Sequence, residues 1–279
     1  MARIQRLAGY QTATTTNLPA PRARRNRSVR LSELNYEFEH LRLKPMTTRP
    51  TTTTESIIDV AGDHAVLFDM DGVILRGYGT DPEVHSRALH DAVVDLELDV
   101  EYEALAALET YEYTDEFAET CIRLGIDPSE FYALREHYSA QRSIERIQAG
   151  KRELYPDVTA LDTLVEQCPT ALVSNNYDPT VSFVVDHFDL RTFSYVRGRD
   201  LGVEGFCRRK PDPYYLEEAI DTLEIDGGLY VGDRETDLIA AENAGLLPVL
   251  LRRSHNETLE PQFESYLEIE SLQELLEYV

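Results

Sequence analysis

From residue 64 onward the chain alternates short apolar runs with stretches of helical periodicity. Ala65–Phe68 is apolar without a break and ends in Asp69-Met70-Asp71-Gly72, which predicts a buried strand running into a turn. The same pattern returns at Thr170–Val173, which leads into Ser174-Asn175-Asn176, and at Leu229–Val231, which leads into Gly232-Asp233. Leu247–Leu251 is a further strand of this kind, and Phe193–Val196 a weaker one. Between them, Val181–Phe188, Tyr214–Leu223 and Thr236–Ala244 have helical spacing, the last stopping at Gly245. Unbroken apolar strands alternating with helices indicate an α/β fold, a doubly wound parallel sheet covered on both faces.

An all-helical block interrupts that alternation. Val84, Ala88, Ala92, Val93 and Leu96 recur at helical spacing, Asp127-Pro128 reads as an N-cap with proline at the first helical position, and Gly150 is a stop. A further helix is expected from Asp157, with Val158, Leu161, Leu164 and Val165 on one face. A helical stretch of this length early in the alternation predicts an inserted domain. The expected division is residues 64–76 and 156–279 for the α/β core and 77–155 for the insert. Arg76-Gly77-Tyr78-Gly79 and the segment near Leu154–Asp157 are the expected hinges, since glycine lets the backbone swing.

Residues 1–54 have a different character. They hold ten basic side chains against three acidic ones, with Arg22, Arg24, Arg25, Arg27 and Arg30 close together and Thr51–Thr54 near the end. One short helix is possible around Ser32–Leu43, but no packed core is expected. The segment reads as a basic tether, a weak targeting sequence or a mis-assigned start, because Met46 opens onto the acidic body. We expect a disordered, dispensable or mis-assigned extension.

Charge narrows the partners. The chain has 27 Lys+Arg against 51 Asp+Glu, a formal net charge of −24, and Lys44, Lys151 and Lys210 are its only lysines. A body this acidic repels nucleic acid and anionic lipid, so neither is an expected partner. No apolar run approaches the ~20 residues of a bilayer crossing. Cys121, Cys168 and Cys207 form no CxxC pair, which suits a reducing cytoplasm. Dense carboxylates with little lysine also resemble the composition of salt-adapted archaeal proteins, a halophilic character in which self-repulsion is screened.

In open parallel sheets ligands bind at the carboxyl ends of the strands. Three expected strands end there in Asp69-Met70-Asp71-Gly72, in Ser174-Asn175 and in Gly232–Asp237, and Lys210-Pro211-Asp212-Pro213 lies between the last two. This ordered set resembles the four motifs of haloacid dehalogenase (HAD) superfamily hydrolases of the phosphatase type, over about residues 64–252. DxDG[TV] matches Asp69–Val73, the second motif Ser174, the third Lys210 and GDxxxD Gly232–Asp237. Within the superfamily the pattern is most similar to the phosphoglycolate phosphatase and β-phosphoglucomutase branch. Its helical cap falls between the first two motifs, on a Rossmann-like core.

The resemblance implies a Mg²⁺-dependent phosphomonoester hydrolase acting on a small phosphorylated metabolite, with 2-phosphoglycolate as a candidate. Mg²⁺ favours one or two carboxylates together with phosphate oxygens and waters. Asp69 and Asp233 would ligate it through their side chains and Asp71 through its main-chain carbonyl, while Asp237 would support the metal's waters or orient Lys210. Asp69 would attack phosphorus to form an aspartyl-phosphate, and Asp71 would protonate the leaving alkoxide. Ser174 and the Asn175 amide would hold phosphoryl oxygens, and Lys210 would neutralise Asp69 and the transferring group. The second carboxylate, Asp71, disfavours dehalogenation, whose leaving group needs no proton. A phosphomutase and a non-catalytic binding protein on the same fold stay open, as does the oligomeric state. Arg135, Arg142 and Arg146 share one helix face, where Arg142 could meet a substrate carboxylate or simply pair with neighbouring acids. His64, His85, His90, His137, His187 and His255 show no ligand spacing and are expected to be structural or exposed, and the cysteines to be core fillers.

Overall fold

The computed structural model describes residues 64–77, 79–262 and 265–279. The expectations for residues 1–54 and for Tyr78 fall outside the described residues. Strands β1 (His64–Phe68), β2 (Thr170–Tyr177), β3 (Tyr195–Arg199), β4 (Gly227–Gly232), β5 (Leu247–Leu251) and β6 (Leu267–Ile269) form one sheet in the order β3-β2-β1-β4-β5-β6. Every neighbouring pair is parallel. This is the doubly wound order, and it reverses at β1, so the crevice for a ligand opens where β1, β2 and β4 end.

The unbroken apolar runs are explained by burial on both sides. Val66 and Phe68 pack on one face against Val158, Leu161, Val181 and Leu272. Ala65 and Leu67 pack on the other against Tyr215, Leu216, Ala240 and Ala241. Three strands depart from expectation, the first being β2, which runs on through Ser174 and Asn175 to Tyr177 instead of stopping at Val173. β3 starts at Tyr195 rather than Phe193 and continues through Arg197 and Arg199, charges that look like loop in the sequence. β6 has three residues, too short for a periodic signal. The helix expected from Asp157 is a 3₁₀ turn, Pro156–Ala160, followed by a single α turn, Leu161–Leu164. The Asp157 carboxylate caps nothing there. It takes Arg253 at 2.8 and 3.0 Å and the Leu272 N–H at 3.0 Å, tying the C-terminal segment to the core.

Between β1 and the 3₁₀ turn at Pro156 run four helices: α1 (Pro82–Asp95), α2 (Tyr102–Leu108), α3 (Asp115–Arg123) and α4 (Pro128–Gln148). Their starts follow the sequence. Asp81 caps α1, Thr114 caps α3, and Asp127 accepts the Ser129 and Glu130 N–H groups ahead of Pro128. Leu89, Ala92, Leu108, Phe117, Cys121, Phe131 and Tyr132 make a cluster of their own, which Phe206 of the core joins. The chain crosses to this helical insert and back along a narrow ribbon. Arg76 N–H donates to Glu153 O at 2.8 Å and Tyr155 N–H to Ile74 O at 3.0 Å.

One buried ion pair also links insert and core. Glu136 of α4 accepts Arg199 of β3 at 2.5 and 3.1 Å and the Gly202 N–H at 2.6 Å. Both side chains are almost wholly excluded from solvent, and the guanidinium lies 4.5 Å from the centroid of the Tyr177 ring. Among the described residues no helix is long and apolar enough to cross a membrane.

Candidate active site

Asp69 is the first residue beyond β1, and its N–H donates to Val231 O at 2.9 Å, so the β1–β4 pairing extends up to the site. The chain then turns tightly, with the Val73, Ile74 and Leu75 N–H groups all directed at Met70 O. Gly72 carries this turn at φ +83°, where a Cβ would lie 2.2 Å from Asp233 Oδ2. Only glycine allows the first and fourth motifs to approach this closely.

Lys210 Nζ stands 2.9 Å from Asp69 Oδ1, 2.7 Å from Asp237 Oδ1 and 2.5 Å from the Tyr230 hydroxyl. Burial works against its charge, but the Asp237 and Asp69 carboxylates outweigh this and hold it well above the ordinary lysine range. The Tyr230 hydroxyl in turn donates a hydrogen bond to Val173 O at 2.8 Å. The main chain of Lys210 is clamped by Asn175, whose Oδ1 accepts the Lys210 N–H at 2.8 Å and whose Nδ2 donates to Lys210 O at 3.1 Å. Both polar ends of the Asn175 side chain thus hold the Lys210 main chain in place.

Asp237 Oδ2 accepts the Asp233 and Arg234 N–H groups, both at 3.1 Å, at the start of the helix Glu235–Asn243. Asp69, Asp233 and Asp237 each offer an oxygen within 4.8 Å of the others, and all three are buried. Burial, reinforced by Asp237 and Asp69, pushes the Asp233 carboxyl up to about 8; burial likewise raises Asp237. Asp233 Oδ1 is buried without a hydrogen bond, its nearest cation being Arg234 Nε at 3.8 Å. Asp69 Oδ1 meets Lys210 as an ion pair, without hydrogen-bond geometry. Hard oxygen donors, crowded, desolvated and short of protons to accept, are the donor set of Mg²⁺, and these residues fit it. The Asp71 carboxylate lies outside this trio, so it is not one of the clustered side-chain ligands. Its Oδ1 takes Arg152 Nη1 at 2.6 Å and its Oδ2 takes Asn176 Nδ2 at 2.8 Å.

Ser174 is 2% exposed and faces a cleft of about 280 Å³, where its Oγ accepts the Asn176 N–H at 3.2 Å. Asp69, Asp71, Lys210 and Asp237 line the sheet side of that cleft, and Thr80, His85 and Tyr111 line the insert side. Arg142 does not line it. Its guanidinium makes a fork with Asp91 at 2.7 and 2.8 Å and a third bond to Glu145 at 2.8 Å, so the substrate contact gives way to the salt-bridge alternative.

Two histidines expected to be merely structural or exposed are at the site. His255 Nε2 lies 2.6 Å from Asp233 Oδ2. His85 lines the cleft, and burial, helped by Arg135 and Arg199, pushes it down to about 4, leaving a neutral ring at pH 7. Arg152, Asn176 and Tyr230 are further site residues that the motifs did not reveal. Only Asn176, two places beyond Ser174, carried a positional hint.

A family model for haloacid dehalogenase-like hydrolases matches residues 64–245. A phosphoglycolate phosphatase from Rhodobacter capsulatus is 35% identical over 108 residues, 38% of this chain and 48% of the relative. The matched stretch thus spans about half the length of that curated relative. Among solved structures, CbbY from Rhodobacter sphaeroides in complex with phosphate gives a TM-score of 0.53 at 20% identity, covering 76% of this chain and 96% of that one. A CbbY mutant in complex with xylulose-(1,5)-bisphosphate gives 0.51 at 18% identity over the same shares. At these identities the likeness is one of fold.

Proposed function

Because the chain belongs to the haloacid dehalogenase-like hydrolases, we propose that it is a Mg²⁺-dependent phosphomonoester hydrolase of a small phosphorylated metabolite, working through an aspartyl-phosphate at Asp69. The observation that carries this reading is Lys210, whose ammonium joins Asp69 to Asp237 at 2.9 and 2.7 Å, with Asp233 crowded against both. Asp69, Asp233 and Asp237 would hold Mg²⁺, which when bound would supply the positive charge that lets an anionic ester approach a carboxylate.

The chain's own groups do the rest. An Asp69 oxygen bonds to phosphorus as the ester P–O bond breaks, and Asp71, protonated, passes its proton to the departing alkoxide. Asp71 then takes a proton from the water whose oxygen bonds to phosphorus, and the Asp69–phosphorus bond breaks to release orthophosphate. Lys210 neutralises Asp69 and the transferring group, and the Ser174 hydroxyl donates to a phosphoryl oxygen. The helical insert acts as a cap, with Thr80, His85 and Tyr111 meeting the non-phosphate end of the substrate and excluding water. A cleft of about 280 Å³ suits a small ester, and the name of the curated relative makes 2-phosphoglycolate the first substrate to try. The acidic, lysine-poor body supports action in a salt-rich cytoplasm.

The test is orthophosphate release by the full chain from a panel of small phosphate esters with MgCl₂, in low and in molar KCl. Turnover that disappears in Asp69→Asn and with chelator is expected. Silence across the panel, or an active Asp69→Asn variant, would overturn the reading. Isomerisation without free phosphate would move it to a phosphomutase.

A further inference from the structure

We propose that Arg152 is the positioning residue for Asp71, fixing the orientation of its carboxyl from the ribbon that joins the helical insert to the sheet. This rests on the reading of Asp71 as the group that protonates the leaving oxygen. Arg152 belongs to none of the four motifs and sits on the returning strand of the ribbon. Its guanidinium spans three acceptors. Nη1 donates to Asp71 Oδ1 at 2.6 Å, while Nε and Nη2 donate to Arg76 O at 3.0 and 2.7 Å. Nη2 also reaches Gly77 O at 3.4 Å.

The surroundings are shaped to this side chain. Gly77 has φ +105°, and a Cβ there would come within 3.3 Å of Arg152 Nη2. The arginine side chain is 14% exposed and that of Asp71 9%, so the pair is largely shielded from solvent. Among the described residues, Arg152 is the hydrogen-bond donor to Asp71 Oδ1 and Asn176 the donor to Oδ2. Each oxygen therefore has its own donor, one from the ribbon and one from the end of β2, and the carboxyl plane is set by both. A planar fork can hold the Arg76 carbonyl and a carboxylate at once, whereas a lysine ammonium on a flexible stem cannot reproduce that geometry. The site of proton transfer is thus mechanically tied to the two chain crossings that support the insert.

A misplaced proton donor harms only reactions that need one. An alkyl phosphate expels a poor alkoxide, whereas p-nitrophenyl phosphate expels a phenolate that leaves without help. The experiment is therefore a rapid-quench comparison of the phosphoryl-transfer step for the two esters in wild type, Arg152→Gln and Arg152→Lys. For Arg152→Gln we expect the alkyl ester's first turnover to slow by about 10²-fold, within the range a positioned general acid supplies, with KM little changed. The p-nitrophenolate burst should stay within about threefold of wild type, and Arg152→Lys should recover part of the loss.

Asn176→Leu, which removes the other donor, should show the same selectivity and guards against a variant that merely folds poorly. Equal slowing of both esters, or no slowing of either, would overturn the positioning role while leaving the phosphatase reading intact. A wild-type protein that turns over neither ester would sink both.

Discussion

The ion pair between Glu136 and Arg199 is a fully buried polar tie between helical insert and sheet, and its removal has a calculable cost. Glu136→Ala deletes two hydrogen bonds from Arg199, at 2.5 and 3.1 Å, and one from the Gly202 N–H at 2.6 Å. It leaves a guanidinium at 0% exposure with the Asp200 carbonyl, 3.1 Å away, as its remaining hydrogen-bond acceptor. Breaking a buried pair on one side costs about 3–5 kcal/mol because the surviving charge stays desolvated. Replacing both partners by apolar groups of similar volume is far cheaper, often neutral. Glu136→Ala should therefore lose about 3–5 kcal/mol in urea unfolding, whereas Glu136→Leu combined with Arg199→Met should lie within about 1 kcal/mol of wild type. The cycle is completed by the single Glu136→Leu and Arg199→Met variants; with each expected to lose about 3–5 kcal/mol and the double about 1 kcal/mol at most, the coupling should be at least about 5 kcal/mol. A Glu136→Ala protein within about 1 kcal/mol of wild type, or strictly additive losses, would refute the claim that this pair is desolvated and interdependent.

Gly72→Ala should lose Mg²⁺ binding and turnover together, because the new Cβ meets Asp233 Oδ2 at 2.2 Å; isothermal titration with MgCl₂ reads this directly. Mg²⁺ at about 100 times its Kd should stabilise the wild-type fold by about 2.7 kcal/mol in thermal melts, with EDTA reversing the gain and Asp233→Asn abolishing it. His85 has a folded-state value of about 4 against 6.5 when free, so the unfolded chain binds the extra proton. Its contribution is intact above about pH 6.5 and fades as the pH falls toward 4, by about 3 kcal/mol; His85→Asn should flatten that part of the stability–pH curve. Arg142→Ala should leave the ratio of activities on carboxylated and uncarboxylated phosphate esters unchanged, because Asp91 and Glu145 already occupy the guanidinium.

The apolar strands and the helices beside them were legible because burial on both faces of a parallel sheet writes continuous hydrophobic text. Tyr214–Leu223 and Leu247–Leu251 have the bounds their pattern predicted. β3 was blurred because Arg197 and Arg199 are charges that find partners only in three dimensions, Glu218 for one and Glu136 for the other. At the site, Asp69, Lys210, Asp233 and Asp237 were readable because each belongs to a motif, Asp69 and Asp233 directly after strands, and the fold brings them together. Arg152, Tyr230 and His255 were not, because each reaches the site from an unremarkable sequence context through a long-range contact. Asp71 lies in between. Its place was evident, but its partners come from residues 81 and 105 positions away. Arg142 failed for the opposite reason, since helical spacing assigns a face to a side chain without revealing which acid already waits on it.

The side-by-side pairing of the outgoing and returning segments at Arg76 and Glu153 makes the helical block a grossly enlarged β-hairpin loop. The ends of that loop are pinned one hydrogen bond apart. Loop-closure entropy grows only with the logarithm of length, so residues added between those two points weigh little on the sheet they leave and rejoin. Such a protein can lengthen, shorten or exchange what it holds over its cleft while its strand order and reactive carboxylates stay as they are.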